Sequence, residues 1–339
     1  MSTRPDIPDN ETLAKKVFSV STHADFESVA LDTFLYQYEH NKVYRSYADA
    51  MGKKPSTVKH VKDIPFLPVS VFKSHDVVCG DVFKDDTVFT SSTTTGGIPS
   101  KHIVKDIGIY QQSFRSGFRH FYGDIKEYCL LALLPSYLER TGSSLVYMAD
   151  DMIKQSGNAN SGFYLHNVNE LKDKITKLEA SGQKTLLIGV TYALLDFAEK
   201  HPIKLKNTIV METGGMKGTR KELPRTEVHS ILKKVFGVDA IHSEYGMTEL
   251  LSQAYSKGNG IFNCPPWMRI VVRDIYDPMH TGLVGEGGAI NIIDLANINS
   301  CSFIATDDVG IVHKDGNFEV SGRLDASDIR GCNLMAEEL

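Results

Sequence analysis

Cysteine is scarce in this 339-residue chain, with five in all: Cys79, Cys129, Cys264, Cys301 and Cys332. An odd, scattered set without a CxxC pair argues against a disulfide framework and against structural zinc. The zincin pattern HExxH is missing too. No apolar run is long enough to span a bilayer, and the polar, proline-containing Met1–Asn10 lacks the apolar stretch of a signal peptide. Lys/Arg tracts are absent and the formal net charge of −5 comes from interspersed acids and bases, so no nucleic-acid footprint is expected. The phosphate-loop signature GxxxxGK[ST] does not occur. A cytoplasmic globular protein is the expectation, with its chemistry carried by less regular motifs.

What is present has a clear order, with no internal repeat. Up to about Val88 the pattern is helical, with apolar residues at helical spacing in Glu11–Val20 and Phe26–Asn41. Val61–Lys73 (VKDIPFLPVSVFK) holds two prolines and reads as an extended connector. Beyond Phe89, the runs Glu127–Leu134, Lys184–Val190 and Asn207–Met211 are short and nearly all apolar, as suits strands buried on both faces. Helical patterns alternate with them. Val168–Ala180 stops at Ser181-Gly182. Thr191–His201 has Thr191 as a candidate N-cap and Pro202 as a stop, and Glu222–Phe236 follows. From Met268 on, turn signals at Asp277-Pro278, Gly285–Gly288 and Lys314–Gly316 favour antiparallel hairpins. The expected class is therefore α/β. A helical region over 1–88 packs on a core over 89–339, in which mostly parallel α/β layers lead into a β-rich C-terminal part.

Four stretches carry candidate chemistry. Phe89–Lys101 (FTSSTTTGGIPSK) runs five hydroxyl residues into Gly96-Gly97. Small donors and a backbone free of bulk can converge on a phosphate chain, and Lys101 adds a point charge; a solvated turn is the plainer alternative. Val210–Arg220 (VMETGGMKGTR) puts a polar glycine loop at a strand's carboxyl end, where open α/β sheets bind ligands. His242–Leu250 (HSEYGMTEL) gathers a tyrosine for stacking, a glycine, a hydroxyl and a carboxylate able to hold magnesium. In Ala305–Asp325, Asp307 can accept both hydroxyls of a ribose, and Gly322-Arg323 follows a hairpin. Gly285–Gly288 lies between β patterns and reads as a turn rather than a dinucleotide loop. Cys129 reads as core, and LLPSY around Ser136 is not the GxSxG elbow of a hydrolase.

Taken in sequence, these stretches resemble the adenylate-forming (acyl-CoA synthetase and firefly-luciferase-like) superfamily. The resemblance implies ATP and Mg2+. It implies Ser91, Ser92, Thr93, Thr94, Thr95 and Gly96 on the β- and γ-phosphates, and Glu212, Thr213, Gly214, Gly215 and Tyr245, with Gly246 and Met247, around the adenine. It places Thr248 at the α-phosphate, Glu249 on the metal, and Asp307 at the ribose with Arg323 nearby. Thr93 stands where the superfamily usually has glycine, and one extra residue separates Gly96 from Pro99. No separate C-terminal catalytic lobe is expected after Asp325.

A shorter branch, the LuxE-like acyl-protein synthetases, resembles the chain further, through Ile64–Lys73, Leu133–Met148, Glu212–Gly218 and Asp328–Leu334 (DIRGCNL). That resemblance implies activation of a fatty acid as acyl-AMP and transfer to a C-terminal cysteine. Cys332 is the matching position, and a thiolate suits attack on a mixed anhydride. Cys332, Thr248 and Lys101 are the expected catalytic groups, and an acyl reductase or carrier protein is the expected partner. Direct transfer to a soluble thiol, amine or carrier, and a non-catalytic nucleotide- or acyl-binding module, remain as alternatives.

Overall fold

A computed structural model describes residues 7–92, 98–134, 142–164, 167–214 and 223–324. Helices come first, and local polar groups set their starts. Helix α1 (Asn10–Phe18) is capped by Asp9, whose carboxylate accepts from the Thr12 amide at 2.7 Å. A reciprocal Thr22–Asp25 capping box starts α2 (His23–His40), and the Asn41 side chain caps α3 (Lys42–Ala50). The proline-bearing stretch that follows is not simply extended. Two 3-10 turns, Val61–Asp63 and Val69–Lys73, flank strand β1 (Leu67–Pro68).

Next, β2 (Thr87–Thr90) and β3 (Lys101–Val104) pair antiparallel as a separate hairpin. The two described ends of the hydroxyl-rich stretch, residues 91–92 and 98–100, therefore adjoin the paired ends of β2 and β3. After α4 (Ile107–Tyr122) come β4 (Cys129–Leu133), α5 (Ser144–Ser156), β5 (Gly162–Tyr164), α6 (Val168–Ser181), β6 (Thr185–Val190), α7 (Thr191–Lys200), β7 (Thr208–Thr213), α8 (Arg225–Phe236) and β8 (His242–Tyr245). Strands β5-β4-β6-β7-β8 run parallel in that spatial order. As expected, Gly182 ends α6 in the left-handed conformation. Thr191, in contrast, is not an N-cap. The cap position is Val190, with no side-chain cap bond, and the Thr191 hydroxyl reaches Glu212 on β7 instead. Helix α8 starts at Arg225, just after Pro224, and the expected start at Glu222 lies outside the described residues.

The remaining strands are β9 (Ala254–Ser256), β10 (Ile261–Asn263), β11 (Met268–Arg273), β12 (Thr281–Leu283), β13 (Gly287–Asp294), β14 (Phe303–Val312) and β15 (Phe318–Arg323). They pair antiparallel with one another and with β8, so the β-rich C-terminal part stands as expected, and β14 also takes β1 as a short parallel partner. With β1 they extend the parallel layer into one 13-stranded sheet. Gly285–Gly288 is not a hairpin turn, because β12 and β13 flank β11 on opposite sides. Among the described residues no helix is long and apolar enough to cross a membrane.

The connection between β13 and β14, Asp294–Ser302, is buried along its whole length although half of it is polar. Helix α2 supplies what it lacks. The Gln37 amide donates to the carbonyls of Asn297 (2.9 Å) and Ile298 (3.0 Å) and accepts from the Ser302 amide (3.0 Å). Asn41 donates to the Ser300 carbonyl at 2.9 Å. Replacing Gln37 by leucine keeps the volume but leaves buried carbonyls and one amide without these partners. It should destabilise the fold by about 3 kcal/mol. Urea unfolding with an unchanged denaturant slope measures this, and a loss below about 0.5 kcal/mol would mean the segment does not depend on α2.

Candidate active site

Two consecutive strands deliver the polar groups. Strands β7 and β8 lie side by side, with Thr213 opposite Glu244 and Glu212 opposite Ser243. Strand alternation then separates two faces. On one, Glu212 is buried and accepts from Thr191 (2.7 Å), Arg225 (3.0 Å) and Ser243 (2.8 Å), with His229 Nε2 at 3.5 Å. Burial alone would raise its pKa, but these donors outweigh it and hold the carboxyl below the usual range. Its side chain is thus engaged inside the protein. Within the expected adenine-side loop, the Gly214 carbonyl accepts from Thr191 at 3.0 Å and Gly214 adopts φ +67°. Gly215 lies outside the described residues.

On the other face, Glu244 accepts a hydrogen bond from Thr213 and lies within electrostatic reach of Tyr110 and Tyr255. Burial pushes its carboxyl up to about 7, and the neighbouring Glu212 charge adds to the rise. A Cβ at Gly246 would stand 2.5 Å from Glu244 Oε1, so any larger residue there would have to displace that carboxylate.

The chain then turns through Gly246-Met247-Thr248-Glu249. Tyr245 does not stand clear as a stacking plate. Its ring packs edge-on against Phe262 and Phe318 at 6.0 and 5.6 Å, and its hydroxyl donates to Asp308 at 2.7 Å. Asp308 also receives Arg323 Nε at 3.0 Å, an ion pair set by their cross-strand register on β14 and β15. Asp307, one residue earlier, points the other way. It lines a cavity of about 90 Å³ walled by Tyr47, Met51, Phe66 and Arg273, and its carbonyl accepts from the Leu324 amide.

The hairpin loop closes onto the same turn. The Ser91 amide donates to the Ser100 carbonyl at 3.1 Å, and the Ser100 amide to Ser91 Oγ at 2.9 Å. The Ser100 hydroxyl donates to Glu249 Oε1. Burial raises the Glu249 pKa, countered by Ser100 and by the charges of Arg323 and Lys73. The Thr248 carbonyl lies 2.8 Å from His102 Nδ1. Ser92 and Lys101 are exposed at the two ends of the loop. Thr93, Thr94, Thr95 and Gly96 lie outside the described residues, as does Cys332. The structure therefore brings Ser91, Ser100, Thr248 and Glu249 together, while Asp307 sits apart on the cavity beyond the Asp308–Arg323 pair.

Sequence reasoning passed over Ser100, His102, Asp308 and Glu244. The first two sit two residues apart, Ser100 just before β3 and His102 within it, a period-2 signal that leads from the loop to the turn. Asp308 is the second acid of TDD, which alternation places on the face opposite Asp307.

The sheet carries its polar turns at the carboxyl ends of the parallel strands β7 and β8. The fold is similar to that of 2-hydroxyisobutyryl-CoA ligase, solved with its acyl-AMP and CoA (TM-score 0.66, 14% identity, 96% of this chain and 81% of that one). It is also similar to that of ATP-bound MatB from Rhodopseudomonas palustris (TM-score 0.54, 17% identity, 72% of this chain), of which the match spans half the length.

The chain belongs to the acyl-protein synthetase family LuxE, which matches residues 17–339, and is an enzyme of the ligase class. It is similar over most of its length to the long-chain-fatty-acid–luciferin-component ligases of Aliivibrio fischeri (24% identity, 91% of this chain and 86% of the relative) and Vibrio harveyi (23%, 90% and 85%).

Glu244 makes the site's pH response testable. In the unfolded chain it titrates near 4.5, and in the fold near 7. Between those values the native state holds a proton that the unfolded state has lost, so stability falls as pH rises. Across that window wild type should lose up to about 3 kcal/mol more than Glu244→Gln. Urea titrations from pH 4.5 to 8 read the difference. Parallel profiles would mean that Glu244 ionises normally.

Proposed function

We propose that this enzyme uses ATP to activate a fatty acid as its acyl-AMP and then carries the acyl group on Cys332. The observation that supports this reading best is the closure of the hydroxyl-rich hairpin loop onto Thr248–Glu249 through Ser91 and Ser100. It sets the Ser91 and Ser100 hydroxyls and the Glu249 carboxylate side by side, a donor-and-acid set suited to a phosphate chain with its metal.

In the first half-reaction a carboxylate oxygen of the acid attacks the α-phosphorus of ATP, and pyrophosphate leaves. The loop Ser91–Gly96 would hold the β- and γ-phosphates, with Lys101 adding positive charge at its edge. The Thr248 hydroxyl would donate to the α-phosphate, where negative charge accumulates. Thr213–Gly214 and Tyr245–Met247 would border the adenine, and Asp307 would take the ribose hydroxyls.

The donor set fits magnesium. Among the described residues no cluster of three His, Cys, Asp or Glu side chains could cage a metal, whereas Mg2+ is commonly held by one carboxylate together with phosphate oxygens. Glu249 supplies that carboxylate. A bound Mg2+ would neutralise phosphate charge.

In the second half-reaction the Cys332 thiolate attacks the acyl carbonyl, AMP leaves, and a thioester forms. The thiol proton goes to solvent. Other cysteines are poor candidates, since burial raises the thiol pKa of Cys79, Cys129, Cys264 and Cys301. The thioester would then pass to a partner such as an acyl reductase or carrier protein, which fits the relatives' description as ligases of a luciferin component.

Glu249→Gln keeps the shape and the Ser100 contact but removes the charge. It should slow acid-dependent pyrophosphate–ATP exchange by about thirtyfold, equivalent to about 2 kcal/mol, and raise the magnesium needed. An unchanged magnesium titration at wild-type rate would remove Glu249 from the metal site.

Cys332→Ser should leave the exchange intact and abolish hydroxylamine-sensitive labelling by radioactive fatty acid. A serine hydroxyl is far less ionised than a thiol near neutral pH. Persistent labelling would move the acceptor elsewhere. Acyl-AMP formation without any labelling of wild type would favour direct transfer to a soluble acceptor.

A further inference from the structure

We infer that His102 is a positioning residue that fixes the Thr248–Glu249 turn against the strand leaving the hydroxyl-rich loop, so that the phosphate-binding and metal-binding groups move as one unit. The inference rests on the assignment of that loop and turn to ATP and its metal.

His102 is fully buried on β3, two residues after Ser100 and on the same side of the chain. These two side chains reach adjacent residues of one turn: Ser100 holds the Glu249 carboxylate, and His102 Nδ1 lies 2.8 Å from the Thr248 carbonyl. The other ring nitrogen, Nε2, lies 3.0 Å from Asn297 Oδ1. The orientation of Asn297 is not free, because its amide nitrogen already donates to the Glu249 carbonyl at 2.8 Å and to the Cys301 carbonyl at 2.9 Å. The ring is thus wedged between the turn and the buried β13–β14 segment, with Phe72 edge-on at 5.9 Å.

Both partners of the ring are acceptors, and burial pushes His102 down to about 4. At neutral pH it carries one proton, and the shorter contact, to Thr248, takes it. A hydrophobic residue could fill this space but could not hold the carbonyl of the residue whose hydroxyl faces the α-phosphate. That distinction separates positioning from packing.

The test compares wild type with His102→Leu and His102→Gln. Pyrophosphate–ATP exchange is titrated separately with Mg2+, ATP and the acid, and the rise in melting temperature produced by Mg·ATP is measured alongside. Leucine should raise half-saturating Mg2+ and the KM for ATP by about tenfold, with the KM for the acid unchanged. Glutamine, which keeps an N–H to donate, should stay within about threefold of wild type. If leucine does not fold, His102→Asn, too short to reach Thr248, takes its place with the same expectation.

Wild-type dependence on Mg2+ and ATP in the leucine variant would overturn the inference, as would equal losses for ATP and the acid. If wild type shows no exchange, the Mg·ATP thermal shift still decides. Its loss in the leucine variant would uphold the positioning role while adenylation fell. Absence of any shift in wild type would overturn both.

Discussion

A buried polar segment, Asp294–Ser302, is the post on which the rest of the site is built. Its Asp294 carboxylate accepts from the amides of Leu251 (2.8 Å) and Ser252 (2.9 Å) and from the Ser252 hydroxyl. Those residues directly follow Thr248–Glu249, so the turn is pinned at both ends, by Asp294 behind and by His102 in front. Asn297 adds the Glu249 carbonyl. Each of these groups is costly to bury without a partner, and together they permit few alternative arrangements. The N-terminal helices belong to this construction as well. Gln37 and Asn41 satisfy the far side of the post, and the Val77 carbonyl and Cys79 amide bond to Ser300 and Asn299. A helical region far from the turn in sequence thereby governs how firmly the turn is held.

The same economy explains why two glutamates on neighbouring strands behave oppositely. Glu212 and Glu244 are both buried, and burial alone would neutralise each. Glu212 faces Arg225, His229, Thr191 and Ser243, and stays ionised. Glu244 faces Thr213 and a tyrosine-rich wall, with no cation among its contributing neighbours, and titrates near neutrality. Strand alternation, not distance along the chain, decides which environment each meets. The neighbouring strands β7 and β8 in this way present a charged anchor on one face and a protonatable group on the other.

Much of this was legible in the sequence because it is periodic or punctuated. The nearly all-apolar runs Glu127–Leu134, Lys184–Val190 and Asn207–Met211 announced the parallel strands that form at Cys129–Leu133, Thr185–Val190 and Thr208–Thr213, and Gly182 announced a helix end. The family followed from the order of short motifs. What stayed hidden depends on tertiary partners. Thr191 carries an N-cap's chemistry, yet Glu212, 21 residues away in sequence, claims its hydroxyl. Gly285–Gly288 has a hairpin turn's composition, but only strand order shows that the chain crosses to the other side of β11. Tyr245 has the ring expected for stacking, and nothing local reveals that Phe262, Phe318 and Asp308 enclose it.

That enclosure gives Tyr245 a structural duty. With its hydroxyl on Asp308 and its ring against Phe262 and Phe318, Tyr245 braces β8 against β10 and β15. Asp308 joins Tyr245 to Arg323, and Leu324, the next residue, bonds back to Asp307. The two neighbouring acids therefore divide their duties: Asp308 ties the strand ends together, and Asp307 is left facing the cavity. Arg323 is largely exposed on its outer side, so the ion pair alone contributes little. Its value lies in register, since it holds the last described turn of chain beside the carboxylate proposed for the ribose. Leu324 is thereby fixed beside Asp307 by its own amide, on the side of β14 away from the Tyr245 hydroxyl.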